Sequence, residues 1–163
     1  MSGKHYLGKA GHLAVMSELA FLGYNVATPE VDIGDDVFAV NDLTGALYRI
    51  QVKTSTATRQ SVSNRCTFSL RMDQLRTPQN PELHYAFVTK ISSHWHYVII
   101  SRAVLYHLQG SGLGSIANLQ NNRQSLTANI TFHDDGRVMA GRDHDLSRYY
   151  NNWDTWSNLR ISS

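Results

Sequence analysis

The sequence predicts one α/β domain, opening with a helix that leads into a run of three strands. Three observations carry that expectation. A chain of 163 residues with 42% apolar content suits one domain with a real core. Its first third passes from a helical period to short strand-like segments. The remainder alternates strand and helix signals, and no internal repeat or second domain is evident.

The first helix is expected over about Leu7 to Leu22. Leu7, Ala10, Ala14, Val15, Met16, Leu19 and Leu22 fit a 3.6-residue period, and Gly23 follows as a helix stop. "YNVAT" reads as a short strand ended by Pro29, and "DVFAV" as a second. "ALYRIQVKTS" is the third, hairpinned to the second across "NDLTG". "TSTATRQSVSN" is polar and aperiodic, so it is expected to be a mobile loop, and "RCTFSLRM" a strand. "HYAFVTK" and "HWHYVII" form a strand pair across "ISS", and Ser101 caps a short helix, "RAVLYHL". "SLTANITF", "HDDG" and "RVMAG" resemble a late hairpin. A terminal helix in "LSRYYNNWDTWSNL" would set Tyr149, Trp153 and Trp156 on one docking stripe.

The charge is uneven. Net charge is only +2, yet six bases and one acid lie between Arg49 and Arg76, while Glu30, Asp32, Asp35 and Asp36 cluster upstream. A basic block beside an acidic knot suggests a polyanion partner beside a cation site. Arginine outnumbers lysine eleven to four, and its planar fork suits phosphate and guanine edges. The one cysteine, Cys66, permits no internal disulfide and fits a reducing cytoplasm. Glu18 interrupts the apolar part of the N-terminal stretch, so it reads as a helix and not a signal peptide, and no apolar run suggests a membrane span.

Strand period two places Arg49, Gln51 and Lys53 on one face. Asp36 falls with Phe38 and Val40 on the strand before, and a hairpin would bring it beside Gln51. A carboxylate, an amide oxygen and an ammonium would then converge. Mg²⁺ favours such oxygen ligands, and a nearby lysine can position a water and balance phosphate charge.

Asp36 in "GDDVFAV", with Gln51 and Lys53 in "RIQVKTS", resembles the PD-(D/E)XK nuclease superfamily in its Q-x-K form. The helix "GKAGHLAVMSELAFLGYNV" is similar to the first helix of resolvase-like and intron-encoded members. The resemblance implies a restriction-endonuclease-like fold: a mixed central sheet flanked by helices, in αβββαβ order with a C-terminal extension. It implies Asp36 as principal metal ligand, Gln51 and the Val52 carbonyl as further ligands, and Lys53 as the residue orienting the attacking water. The implied cofactor is Mg²⁺ (or Mn²⁺), the partner double-stranded DNA, and the assembly a homodimer or higher oligomer. The expected function is a homing-type DNA endonuclease. A Holliday junction resolvase and an inactive binding module on the same fold are the alternatives.

One position departs from the pattern. Where the superfamily's first helix usually offers a glutamate, this chain has His12. Glu18 lies about 240° around the helix from it and cannot point the same way. His12 is then a ligand or proton relay, or the glutamate's role is dispensable, or the chain is a lapsed nuclease. Loss of two acids from the usual set predicts weaker metal affinity and tolerance of Mn²⁺.

Lys9, Arg59, Arg65, Arg71 and Arg76 are the candidates for DNA contact. His94 and His96 share a strand face without an evident third ligand, Asp143 and Asp145 mark a loop before a helix, and Cys66 is expected in the core.

Overall fold

The computed structural model describes residues 3–31 and 33–156, without the side chains of Lys4, Thr155 and Trp156. Helix α1 (Gly3–Phe21) covers one face of a five-stranded mixed sheet. Gly23 closes the helix at φ +89°, a region open to glycine, and the Tyr24 N–H bonds back to the Leu19 carbonyl at 3.0 Å. Strands β1 (Asn25–Ala27), β2 (Val37–Val40) and β3 (Leu47–Thr54) form an antiparallel meander. Strand β4 (Thr58–Arg59), strand β5 (Ser63–Arg71) and helix α2 (Met72–Arg76) intervene before β6 (Leu83–Ile91) returns parallel to β3. Strand β7 (His94–Ser101) pairs with β6 and completes the order β1-β2-β3-β6-β7.

The αβββαβ order is present, with β4 and β5 carried out of it into a second sheet that the sequence did not announce. Helix α3 (Arg102–Gln109) begins at Ser101, whose hydroxyl accepts the Val104 N–H at 3.3 Å. Strands β8 (Gly114–Asn118), β9 (Gln124–His133), β10 (Val138–Ala140) and β11 (His144–Asp145) complete the antiparallel second sheet, with β5 pairing β9 over its whole length. Residues of "TSTATRQSVSN" form the hairpin of β4 with β5, so that stretch is not simply a loop.

Three layers follow from the burial pattern. Central strand β6 is buried on both faces, as a covered parallel strand requires. Its Ala86 and Val88 join Val15, Leu19, Ile50 and Val52 under α1. Its Tyr85 and Phe87 join Phe68, Leu70, Leu126 and Ile130 between the sheets. Cys66 is buried in that second core, as expected.

The predicted terminal helix is absent among the described residues. Two 3-10 turns, Ser147–Tyr149 and Trp153–Trp156, take its place. Trp153 packs edge-on against Tyr97 at 5.2 Å, so it belongs to the domain and not to a free docking stripe. The Trp156 side chain lies outside the described residues. No helix among them is long and apolar enough to cross a membrane.

Candidate functional site

The site forms where β2 ends and β3 continues. Val37 pairs with Ile50, and one residue earlier the Asp36 N–H still reaches the Ile50 carbonyl at 2.8 Å. That register sets Asp36 against Gln51. Gln51 Nε2 donates to Asp36 Oδ2 at 2.5 Å, and the Val52 N–H donates to the same oxygen at 2.7 Å. Backbone groups of alternate strand residues point the same way. Val52 therefore directs its backbone toward the side that β2 has left, where Asp36 stands.

The neighbouring acid goes elsewhere. Asp35 is buried and takes both Nε and Nη2 of Arg49 on one oxygen, at 3.0 and 2.6 Å. The two adjacent aspartates are thus divided: Asp35 neutralises Arg49 within the fold, and Asp36 faces the cleft.

Helix α1 supplies the opposite wall. His5, Gly8, Lys9 and His12 recur at helical spacing along an open cleft of about 330 Å³, shared with Asp36, Gln51 and Val52. Close approach of α1 depends on Gly11, which lies against Thr54. His12 is half-buried, with Nε2 3.5 Å from the Thr28 hydroxyl. Burial and then the Lys9 charge hold its pKa below the ordinary histidine value, with Asp36 opposing them, so the ring is neutral near pH 7. Glu18 does not reach this cleft. It acts on Tyr97 of β7, whose hydroxyl is pushed up mainly by burial and secondarily by Glu18.

Lys53 is half-buried and lines a neighbouring cleft of about 250 Å³ with Ser69, Arg71, Asp73 and Arg123. That cleft meets the exposed face of the second sheet. There Arg65 lies opposite Thr131, Thr67 opposite Asn129, Ser69 opposite Thr127 and Arg71 opposite Ser125. The paired positions offer hydroxyls, amides and two guanidinium groups, and no carboxylate.

The other candidate bases differ in their commitments. Arg59 is held bidentately by Asp134 at 2.6 and 2.7 Å. Arg71 bonds Asp73, and Arg76 bonds the Gln124 amide oxygen at 2.7 Å. Lys9 is exposed on the cleft wall, and Arg65 is exposed on β5.

Sequence reasoning missed Gln74. From the short helix α2 its Nε2 donates to the Gly34 carbonyl at 2.5 Å and to Gln51 Oε1 at 3.2 Å, while the Tyr85 hydroxyl reaches its Oε1 at 3.4 Å. No periodicity or motif marks this residue, because its role depends on partners distant in the chain.

The residues fit a loosely held hard cation. Asp36 is the carboxylate of the cleft lining, and among the described residues no three His, Cys, Asp or Glu side chains cluster as a metal site. Asp36 and the Val52 carbonyl would hold the ion, with water at most positions. Gln51 is placed to assist but presents its amide nitrogen to Asp36. His94 and His96 form no such site: His94 Nδ1 bonds the Ser92 carbonyl, and His96 Nδ1 bonds the Tyr150 hydroxyl at 2.6 Å. Asp145 accepts the Ser147 N–H at the start of a turn, at 2.8 Å.

Taken together, the topology is a restriction-endonuclease-like α/β fold with a second sheet. The solved structure of a bacterial homing endonuclease, I-Ssp6803I, shares it with a TM-score of 0.57 at 15% sequence identity, covering 96% of this chain and 92% of that one. No family model matches the sequence, and no curated protein matches it.

Proposed function

We propose that this chain is a metal-dependent DNA endonuclease, site-specific in the homing manner, that hydrolyses phosphodiester bonds in double-stranded DNA. The observation that supports this most directly is the β2–β3 register. It sets Asp36 against Gln51, with Lys53 two residues on, in a fold shared with a protein described as a homing endonuclease.

A bound Mg²⁺ or Mn²⁺ supplies Lewis-acid stabilisation of phosphate charge and a more acidic water. Asp36 contributes the negative charge that holds a cation at the cleft. The Lys53 ammonium orients the attacking water and offsets charge gathering on the phosphate. Neutral His12 offers a ring nitrogen that takes up a proton at the opposite wall. Arg65 on the hydroxyl-rich sheet face and Lys9 beside the cleft engage the phosphate backbone, and Arg71, which bonds Asp73, contributes less. A two-stranded β surface also matches the width of a major groove. One site cuts one strand, so cleavage of both is assigned to a symmetric dimer or higher homo-oligomer.

A second reading has its own support. His12 stands where a second acid would strengthen cation binding, which favours a DNA-binding module that has lost catalysis. Cleavage of a genomic DNA pool with Mg²⁺ and with Mn²⁺ decides between them, comparing the native chain, Lys53→Ala and His12→Glu. Cutting that Lys53→Ala abolishes supports the endonuclease. Cutting that appears only in His12→Glu selects the lapsed form. Cutting that persists undiminished in Lys53→Ala removes Lys53 from the chemistry.

A further inference from the structure

The polarity of the Gln51 amide is fixed from both ends. The Gly34 carbonyl accepts hydrogen bonds and has none to give, so the Gln74 atom 2.5 Å from it is nitrogen. The same nitrogen lies 3.2 Å from the Gln51 side chain, so it faces the Gln51 oxygen. The remaining Gln51 atom is nitrogen, 2.5 Å from Asp36 Oδ2, an acceptor. Two terminal acceptors thus orient a relay of two amides between them, and hydrogen-bond complementarity settles which end is which. The Tyr85 hydroxyl completes it by reaching the Gln74 oxygen.

This arrangement acts against a cation. An ion beside Asp36 meets the positive end of the Gln51 N–H bond, while the amide oxygen points toward α2. Turning Gln51 alone would set two N–H groups against each other. Turning Gln74 as well would set its oxygen against the Gly34 carbonyl, with the loss of a partly buried hydrogen bond. Gly34 has φ +101°, and a Cβ there would collide with the Gln74 amide, so the carbonyl's approach depends on glycine.

We propose that Gln74 is a positioning residue: it sets which end of the Gln51 amide faces Asp36 and so lowers the site's affinity for divalent cations. The affinity consequence rests on the metal-dependent endonuclease reading, whereas the amide polarity does not.

The isosteric change Gln74→Glu tests it. A carboxylate accepts only, so position 74 no longer offers an N–H to the Gln51 oxygen; Gln51 can then turn its own N–H toward position 74, and a cation beside Asp36 draws the Gln51 oxygen to the site. Calorimetric titration of the full chain with MgCl₂ and MnCl₂ is expected to show at least about tenfold tighter binding in Gln74→Glu, about 1.4 kcal/mol. Added negative charge alone would also tighten binding. The same change in a Gln51→Met background separates the two, because the gain disappears there if it passes through the Gln51 oxygen. A gain that persists, or unchanged affinity in Gln74→Glu, overturns the proposal.

A second readout needs no variant. Labelled native protein should show scalar couplings across hydrogen bonds, from Gln74 Nε2 to the Gly34 carbonyl carbon and from Gln51 Nε2 to the Asp36 carboxyl carbon. Opposite amide orientations overturn the proposal even if Gln74→Glu fails to fold. Neither readout measures strand scission. A chain that never cuts DNA but shows both effects loses the endonuclease reading and keeps this one. A chain that cuts DNA but shows neither keeps the endonuclease reading alone.

Discussion

Gly11→Ala should damage the site more than the fold. A Cβ at Gly11 would stand 2.8 Å from Thr54 Cγ2 and 2.9 Å from Thr54 Cβ, with Oγ1 closer still. Rotation of the Thr54 side chain cannot move its Cβ, which is fixed to β3. Helix α1 must therefore retreat by about half an ångström to reach ordinary van der Waals separation. Overpacking of this kind costs about 1–3 kcal/mol, and alanine returns about 1 kcal/mol of helix propensity over glycine. The expected net loss is about 1 kcal/mol in urea denaturation. His12 follows Gly11 directly, so the cleft wall moves away from Asp36. Misplacement by about 1 Å costs about a hundredfold in rate, which suggests a loss of about tenfold in cleavage here. Thr54→Ala removes Oγ1 and Cγ2 but keeps the Cβ that sets the retreat, so the double variant should recover only the part of both losses that those two atoms cause. Gly11→Ala with raised stability, unchanged cleavage and no coupling to Thr54→Ala would refute the argument that this contact sets the position of α1.

Two further outcomes follow from charge. His12, His84 and His96 all have pKa values held below the ordinary histidine value, in each case chiefly by burial. The unfolded chain then binds more protons below about pH 6.5, so stability should fall as pH drops from there toward the lowered folded values. Urea midpoints at a series of pH values should show this decline, and His84→Asn should flatten it; a native profile that is level through this range would contradict the assignment. The lowered carboxyls of Asp73, Asp134, Asp135 and Asp145 act in a separate window, below about pH 4. On the DNA side, Arg65→Ala should reduce the salt slope of binding by about one and leave stability unchanged, as read by fluorescence anisotropy. Arg59→Ala should change it less, because Asp134 already holds that guanidinium, and an exposed pair of this kind contributes little to stability. A larger slope change at Arg59 than at Arg65 would reverse their assigned roles.

Much of what depended on neighbours close in sequence was legible beforehand, though not the β4–β5 hairpin, whose polar residues show no alternation. A 3.6-residue period and Gly23 announced α1, and period two with a tight turn announced the β2–β3 hairpin. Their register brought Asp36 to Gln51 without any knowledge of the rest of the chain. Helical spacing likewise turned His12 toward the sheet and kept Glu18 from pointing the same way. The second sheet was not legible as a sheet. Its main pairing joins Ser63–Arg71 to Ser125–His133, about sixty residues apart, and strand alternation states which face is buried without naming the partner. The terminal aromatics misled for a related reason: helical spacing suggested a stripe, but packing of Trp153 on Tyr97 overrode it.

Gln74 combines both limits. It sits in a five-residue helix, too short for periodicity to report, and its partners come from three separate segments at Gly34, Gln51 and Tyr85. The Asp36–Gln51–Lys53 spacing identifies groups carried by one hairpin, of which Asp36 and Gln51 line the α1 cleft and Lys53 the cleft beside it. It cannot report the orientation of an amide, since oxygen and nitrogen differ only in what they face. The local pattern therefore specifies which chemistry is available. The non-local packing of α2 against Gly34 and Gln51 sets how strongly that chemistry is expressed, which is why a residue without a motif can govern one that has it.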